Sequence, residues 1–510
     1  MARSTPYDLV VIGGGINGCG IAADAAGRGL SVFLAEQGDL AGATSSSSSK
    51  LIHGGLRYLE HYEFRLVRES LREREVLLAM APHIVWPLRF LLPHDAGQRP
   101  AWMVRAGLFI YDHLARRQRI GGSQSVRLSS EPSARALRTQ FDRGFSYWDC
   151  WVDDARLVVF NARVAANRGA VISPRTPVTA LRRDAGLWRV TLGGETGPRD
   201  IAARAVVNAA GPWAEGVGRL AGAGRNSAPM PRVRLVKGSH IVVPRLPGAS
   251  DAFLFQSPDG RAVFALPFEE RFTMIGTTDV PCADASLHVT ASDNEAQYLL
   301  DVANRFLKKP LVAAEIVWSF AGVRPLDDPD ADLDPAEVTR DYRLVLDGEA
   351  RGSDGVTEAV PPILHVIGGK ITTYRKLAEA ALAKLAPFFP GARPAWTAGT
   401  RLPGGNFDAS SLQEYSGSMA ARWPGITPAL VATLVRRHGS LVADILGDAT
   451  CLADLGTDFG GGLYAREVAY LKANEWARHS DDVLWRRTRT GLHMTKLQCE
   501  MAAERMSSLL

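Results

Sequence analysis

Three glycines spaced Gly-x-Gly-x-x-Gly, Gly13, Gly15 and Gly18, are followed by a carboxylate at Glu36. The chemistry of that spacing is anion capture. The first glycine permits a tight turn, the second lets the backbone approach a pyrophosphate, and the third lets a helix lie against the preceding strand. The helix N-terminus then meets the negative charge. A carboxylate about 20 residues further on can accept hydrogen bonds from both ribose hydroxyls, and its sign disfavours a 2′-phosphate. The residues therefore point to FAD or NAD ahead of NADP. In a chain of 49 glycines the spacing alone is weak, and the flanking elements must support it.

They do. Residues 7–12 read as a short buried strand, residues 16–28 as a helix of small residues able to pack closely on a sheet, and residues 30–36 as a second strand after a stop at Gly29. Two further strand-to-glycine junctions, AVVNAAG at 205–211 and LHVIGG at 364–369, are predicted to return to the same sheet. Residues 38–50 form a loop whose run Ser45 to Ser49 has the composition of a linker. Leucines at 59, 66, 71 and 77 predict an amphipathic helix over 57–80. Residues 89–119 interleave Trp102, Phe109 and Tyr111 with Arg99, Arg105, Arg116 and Arg117. Alternating patterns at 171–192, 239–243, 262–266 and 272–277 make the middle of the chain strand-rich, and helical periodicity takes over after Pro390.

A length of 510 residues with 46% apolar composition implies two or three domains. The net charge of +5 is too small for the chain as a whole to bind nucleic acid. The five cysteines are scattered without CxxC or CxxH spacing, which argues against a disulfide framework or a zinc site and fits a reducing cytosolic compartment. An acidic run at 327–337 places Leu333 and Thr339 where a calcium loop needs Gly and Glu, so no metal is expected. The apolar residues 9–12 lead straight into the glycines without a cleavage site, so no targeting peptide is expected. With no apolar stretch of about 20 residues, any membrane contact would be peripheral.

AVVNAAGPWA resembles the second signature of flavoproteins, which favours FAD over NAD. Together with GGGINGCGIAADAAGRGLSV, TSSSSSKLIHGGLRYLEHYEFRLV, YWDCWVDDARLV, VKGSHIVVP, IGTTD, GVRPL, TRDY and GGKITTYRKLAE, it resembles the FAD-dependent glycerol-3-phosphate dehydrogenases over residues 7–379 and into the helical tail. The resemblance implies an α/β fold with a glutathione-reductase-like FAD-binding domain built from residues 1–85, 151–230 and 321–390. A mixed-sheet substrate-binding cap (86–150 and 231–320) interrupts it, and a helical domain follows at 395–510. It implies cofactor contacts from Gly13, Gly15, Asn17, Gly18, Glu36, Thr44, Ser45, Ser46, Ser49, Lys50, Gly211, Trp213, Gly368 and Gly369. The implied reaction is oxidation of sn-glycerol 3-phosphate to dihydroxyacetone phosphate, with electrons passing from reduced flavin to a membrane quinone.

Oxidising a secondary alcohol by flavin needs a hydride acceptor and a base for the hydroxyl proton, and a phosphate needs convergent cations. The family motifs supply Arg57 and Tyr58 after HGG, Arg324 in GVRP, Arg340 in TRDY, and Lys370 with Thr372 in GGKIT. His53 leads as the base, four residues before Arg57, with His240 and His365 competing. Alternatively, Arg324 stabilises a developing alkoxide while water takes the proton. Rival readings are an oxidase that passes electrons to oxygen, giving peroxide, and an amine or amino-acid oxidising flavoenzyme, which four basic pocket residues disfavour. For a quinone acceptor, residues 100–119 have the composition of an interfacial helix meeting anionic lipid at the inner face of the cell membrane, or of a helix buried in the cap. A homodimer is left open.

Overall fold

The computed structural model describes residues 5–95, 97–194, 197–222, 232–257, 259–287, 289–327, 341–351, 357–407 and 411–510. Strand Tyr7–Ile12 is an apolar run covered on both faces, as a parallel sheet requires. Leu9 and Val11 share one core with helix Ile16–Gly27, while Tyr7, Val10 and Ile12 share another with Phe33, Trp188 and Val190. The strand pairs in parallel with Val32–Ala35 on one side and Arg199–Asn208 on the other, and the latter pairs in parallel with Thr357–Gly368. The sheet runs Tyr342–Arg351, Thr357–Gly368, Arg199–Asn208, Tyr7–Ile12, Val32–Ala35, Val171–Ser173. Both later glycine junctions thus join the first. Asn208 stands in register with Ile12 and with His365, so three strand ends open on one edge. Ligands bind at such carboxyl ends.

A second, ten-stranded sheet is mainly antiparallel. Its spine is Val233–Pro244, paired along most of its length with Trp318–Asp327 and continuing through Phe272–Gly276, Ala262–Phe268, Ala252–Gln256 and Val85–Pro93 to Arg143–Val152. Helix Asp293–Phe306 covers one face, burying Leu299, Ala303 and Phe306 against Ile241, Phe255 and Ile275. Helices Phe64–Met80 and Ala101–His113 cover the other, through Val67, Leu71, Leu108 and Tyr111. Beyond residue 411 come helices Leu412–Arg422, Pro428–His438, Ala465–Glu475 and Lys496–Met506, with a small hairpin of Asp458–Gly460 and Leu463–Tyr464.

Several boundaries differ from the sequence reading. Strand Trp318–Asp327 belongs wholly to the second sheet, so a boundary at 321 would cut it, and Leu51–Ile52 also joins that sheet. Alternation identifies a strand without saying which sheet it enters. The helix expected from residue 57 begins at Phe64. Leu56–His61 is a 3₁₀ turn, closed off by left-handed backbone at Gly55 (φ 79°) and Tyr62 (φ 58°). The segment 89–119 divides into the end of strand Val85–Pro93 and helix Ala101–His113.

Candidate active site

A cavity of about 2170 Å³ runs between the two sheets, lined at one end by Glu36 and Gln37 and along its length by Gly13, Gly15, Asn17, Thr44, Ser45 and Ser49. Gly211, Trp213, Gly368 and Gly369 line it where the strand ends converge. Close backbone packing requires glycine in this cradle. A Cβ on Gly13, whose φ is 114°, would stand 2.4 Å from the Ala209 carbonyl oxygen, and one on Gly18 would stand 1.9 Å from that of Gly13. Gly18 therefore serves helix–strand packing and does not line the cavity. Asn17 is the one residue of helix Ile16–Gly27 that is not buried, and its Nδ2 donates to the Gly368 carbonyl at 3.1 Å. Its Oδ1 is buried without a hydrogen-bond partner among the described residues and is available to a ligand.

Glu36 accepts from the Gly14 and Gly38 N–H groups at 2.6 and 2.7 Å. Burial raises its pKa, and those bonds oppose the rise. Ser45 Oγ accepts from the Ile16 N–H at 3.0 Å, which ties the serine loop to the helix N-terminus. Ser46 and Lys50 lie behind the loop, not in the cavity. Ser46 Oγ donates to the Ala43 carbonyl, and Lys50 Nζ, fully buried, donates to both Asp154 carboxylate oxygens at 2.9 Å. A buried ammonium needs such a partner, which turns this lysine inward.

At the far end of the cavity the 3₁₀ turn brings in Arg57 and Tyr58, while Lys370 Nζ sits 3.6 Å from the centre of the Tyr58 ring. Arg324 enters from the second sheet. Its Nη2 donates to Thr277 Oγ1 at 2.8 Å and to the Thr278 carbonyl at 3.3 Å, and its Nη1 pairs with Asp279. Thr372 is buried outside the cavity, where its Oγ1 accepts from the His53 N–H at 3.2 Å. It can position His53 but does not face a ligand. Arg340, like the acidic run after Asp327, lies outside the described residues.

Two imidazoles line this end. Burial pushes His53 down to about 4, with Lys370 and Arg74 adding to the shift. Burial likewise holds His240 well below its ordinary value, helped by Arg324 and Lys50. Both are neutral at pH 7 and able to accept a proton. His240 Nε2 is 2.9 Å from Ser49 Oγ, and its ring stacks on Phe320 at 4.8 Å. Its Nδ1 has no hydrogen-bond partner among the described residues. His365 is a core residue, with Asn208 Nδ2 3.0 Å from its Nδ1, and does not reach the cavity.

Sequence reasoning did not single out Thr277 and Asp279, although IGTTD was among the family motifs. It also missed a buried support beneath the HGG turn. Tyr111 OH accepts from the Gly54 N–H at 2.8 Å and donates to Asp149, which Arg74 neutralises at 2.5 Å. Arg74 sits in an amphipathic, charge-rich helix, where nothing local marks it as buried.

The profile described as FAD dependent oxidoreductase matches residues 8–360, and that described as C-terminal domain of alpha-glycerophosphate oxidase matches residues 395–509. A glycerol-3-phosphate dehydrogenase of Pseudomonas aeruginosa is 52% identical, covering 96% of this chain and 93% of that protein. A D-erythritol 1-phosphate dehydrogenase of Brucella abortus is 47% identical, covering 98% and 97%. Among solved structures, the glycerol-3-phosphate dehydrogenase of Bacillus halodurans complexed with FAD superposes with a TM-score of 0.74 at 26% identity, over 99% of this chain and 95% of that one.

Proposed function

Because the chain belongs to the FAD-dependent glycerol-3-phosphate dehydrogenase family, we propose that it oxidises sn-glycerol 3-phosphate to dihydroxyacetone phosphate and passes the electrons to a membrane quinone. FAD, when bound, accepts the hydride from the carbinol carbon. The chain's own side chains supply the rest. Arg57, Lys370 and Arg324 face one end of the cavity and can neutralise a phosphate dianion, while His53 and His240 stand there neutral, able to take the hydroxyl proton. Arg340 would join the cations by its place in the TRDY motif.

The observation that carries this reading is that Arg57, Arg324, Lys370, His53 and His240 line the same cavity as the glycine turn and Glu36, with Lys370 close enough to His53, and Arg324 to His240, to depress both imidazoles. Anaerobic addition of sn-glycerol 3-phosphate to the purified protein is expected to bleach the flavin absorbance. A spectrum that stays oxidised would sink the substrate assignment.

One relative and the C-terminal profile suggest competing readings. The Brucella protein's substrate has one more carbinol, so kcat/KM for D-erythritol 1-phosphate must be measured beside that for glycerol 3-phosphate, and the larger value identifies the substrate. The C-terminal profile carries an oxidase name, so reoxidation by oxygen, read as peroxide yield, is compared with reoxidation by a soluble quinone.

Quinone access is supported by helix Ala101–His113. Trp102 is 71% and Phe109 55% exposed, while Met103, Val104 and Ile110 of the same helix line the cavity. Among the described residues no helix is long and apolar enough to cross a membrane, so the contact we propose is peripheral, at the inner face of the cell membrane. Arg105 is tied to Ser123 at 2.7 Å and Arg117 to Asp112 at 3.0 Å, which leaves the exposed aromatics as the better probe. Replacing Trp102 and Phe109 by alanine together is expected to reduce partition onto anionic vesicles; unchanged partition would remove this helix from the interface.

A further inference from the structure

A short stretch of charged side chains in the C-terminal domain bonds to carboxylates behind the loops that line the cofactor cavity. Residues Asp482–Arg487 form a π-helical turn, a geometry that recurs at functional sites. Arg487 is fully buried and donates to both carboxylate oxygens of Asp39, at 2.7 and 2.8 Å, and Arg486 Nε adds a bond at 2.6 Å. Asp39 lies three residues past Glu36, in the loop whose Gln37, Ala41 and Gly42 line the cavity. Asp482 accepts from Arg175 Nη2 at 2.6 Å, and the Arg175 N–H donates to the Gly38 carbonyl of the same loop at 2.8 Å.

Two residues further on, Arg489 Nη2 donates to Asp153 at 2.6 Å and to Asp154 at 3.1 Å. Asp154 grips the serine loop from behind, accepting from the Ser48 N–H at 3.2 Å and Oγ at 2.7 Å besides Lys50. Burial alone would raise the Asp154 carboxyl; Lys50 and Arg489 hold it below its ordinary value. Ala41 (φ 59°), within the ribose loop, and Lys50 (φ 55°), at the end of the serine loop, are in left-handed backbone that non-glycine residues adopt only when their surroundings impose it. Asp39, Asp154, Arg487 and Arg489 do not themselves line the cavity.

We propose that Asp482–Arg489 is a latch that holds the ribose loop (36–43) and the serine loop (44–50) in their flavin-binding shape, so that the C-terminal domain sets how long FAD stays bound. Arg487 and Arg489 are positioning residues. Their pairs are desolvated, and removing Arg487 leaves buried Asp39 to Arg486 alone, as removing Arg489 leaves Asp154 to Lys50 alone, which favours opening of the loop. The inference rests on FAD occupying this cavity.

The test is the rate of FAD release from purified holoenzyme, followed by recovery of free-flavin fluorescence after dilution. Arg487→Met and Arg489→Met are each expected to speed release by roughly tenfold or more. Arg466→Met removes a pair with Asp448, at 2.9 Å, that lies wholly within the C-terminal domain and shares no partner with Arg487 or Arg489. It is expected to change release by no more than about twofold, as for an independent site. If the arginine variants do not fold, hydrogen exchange on the wild-type protein tests the same coupling, because coupling is reciprocal. FAD must then slow exchange of the amides at 482–490. Unchanged release in both variants, equal acceleration by Arg466→Met, or exchange at 482–490 indifferent to FAD would each overturn the latch. A wild-type protein that takes up no flavin would overturn the cofactor reading beneath it as well.

Discussion

Arg324→Met keeps the length of the side chain and its apolar stem while deleting the guanidinium. In the structure that group bonds to Thr277 at 2.8 Å and to the Thr278 carbonyl at 3.3 Å and pairs with Asp279. A charge-assisted hydrogen bond to a phosphate or a developing alkoxide contributes about 1.5–3 kcal/mol. The substitution also exposes a substrate dianion to Asp279 with no guanidinium between them. Arg324 and Asp279 are both about a quarter exposed (26% and 24%), so solvent screens much of that repulsion. About 1–2 kcal/mol remains for like charges a few ångströms apart. The sum, about 2.5–5 kcal/mol, corresponds to a fall in kcat/KM of roughly seventyfold to several thousandfold. The assay is steady-state oxidation of sn-glycerol 3-phosphate with a dye acceptor, alongside FAD content, which should be unchanged because the guanidinium bonds to Thr277, Thr278 and Asp279, outside the glycine turn and Glu36. Adding Asp279→Asn to the variant removes the repulsion and should recover about tenfold. A kcat/KM within about threefold of wild type, or a double variant no better than the single one, would refute the reasoning.

Glu36→Ala deletes the acceptor of the Gly14 and Gly38 N–H groups and is expected to weaken FAD binding by at least about tenfold, read by flavin titration of apoprotein. An unchanged Kd would remove Glu36 from the cofactor site. If His53 takes the substrate proton, kcat/KM corrected for phosphate ionisation should hold steady from about pH 8 to about pH 5 and fall toward 4 as the ring protonates. Lys370→Met should move that limb upward, and a limb at the ordinary histidine value in both enzymes would exclude His53. His83 is buried against Phe160 with neither ring nitrogen hydrogen-bonded among the described residues, and burial depresses its pKa from 6.5 to about 3. The unfolded ring protonates near 6.5 and the folded one near 3, so the stability the neutral ring contributes is complete above 6.5 and lost as pH falls toward 3. His83→Leu should therefore flatten the acid side of the stability curve by about 2–4 kcal/mol. Parallel curves for the two proteins would show that the ring does not titrate on unfolding.

The cofactor cradle is legible in the sequence because its contacts are short-range. Gly14 and Glu36 are 22 residues apart, and the backbone crowding that demands glycine at 18 arises inside one strand-turn-helix unit, whereas that at 13 comes from the Ala209 carbonyl just past strand Arg199–Asn208. Register and sheet membership are not legible, since alternation in Trp318–Asp327 is the same whichever sheet it joins; here it aligns Arg324 with Val236 of the second sheet. Burial of charge is the least legible feature. Lys50, beside a serine run, reads as facing a ligand, yet the carboxylate that draws it inward is 104 residues away, and Thr372, in a motif beside Lys370, is turned toward a backbone amide 319 residues back. Arg487 stands in a charged tail segment that reads as solvated, and its partner Asp39 is 448 residues distant. Charged side chains carry no periodicity that distinguishes a paired, desolvated group from a solvated one. Local motifs therefore specify which ligand the cavity accepts, while long-range buried pairs set the shape and persistence of the loops around it. Substitutions at unremarkable arginines of the tail should consequently alter flavin retention, whereas changes on the outer faces of the same helices should not.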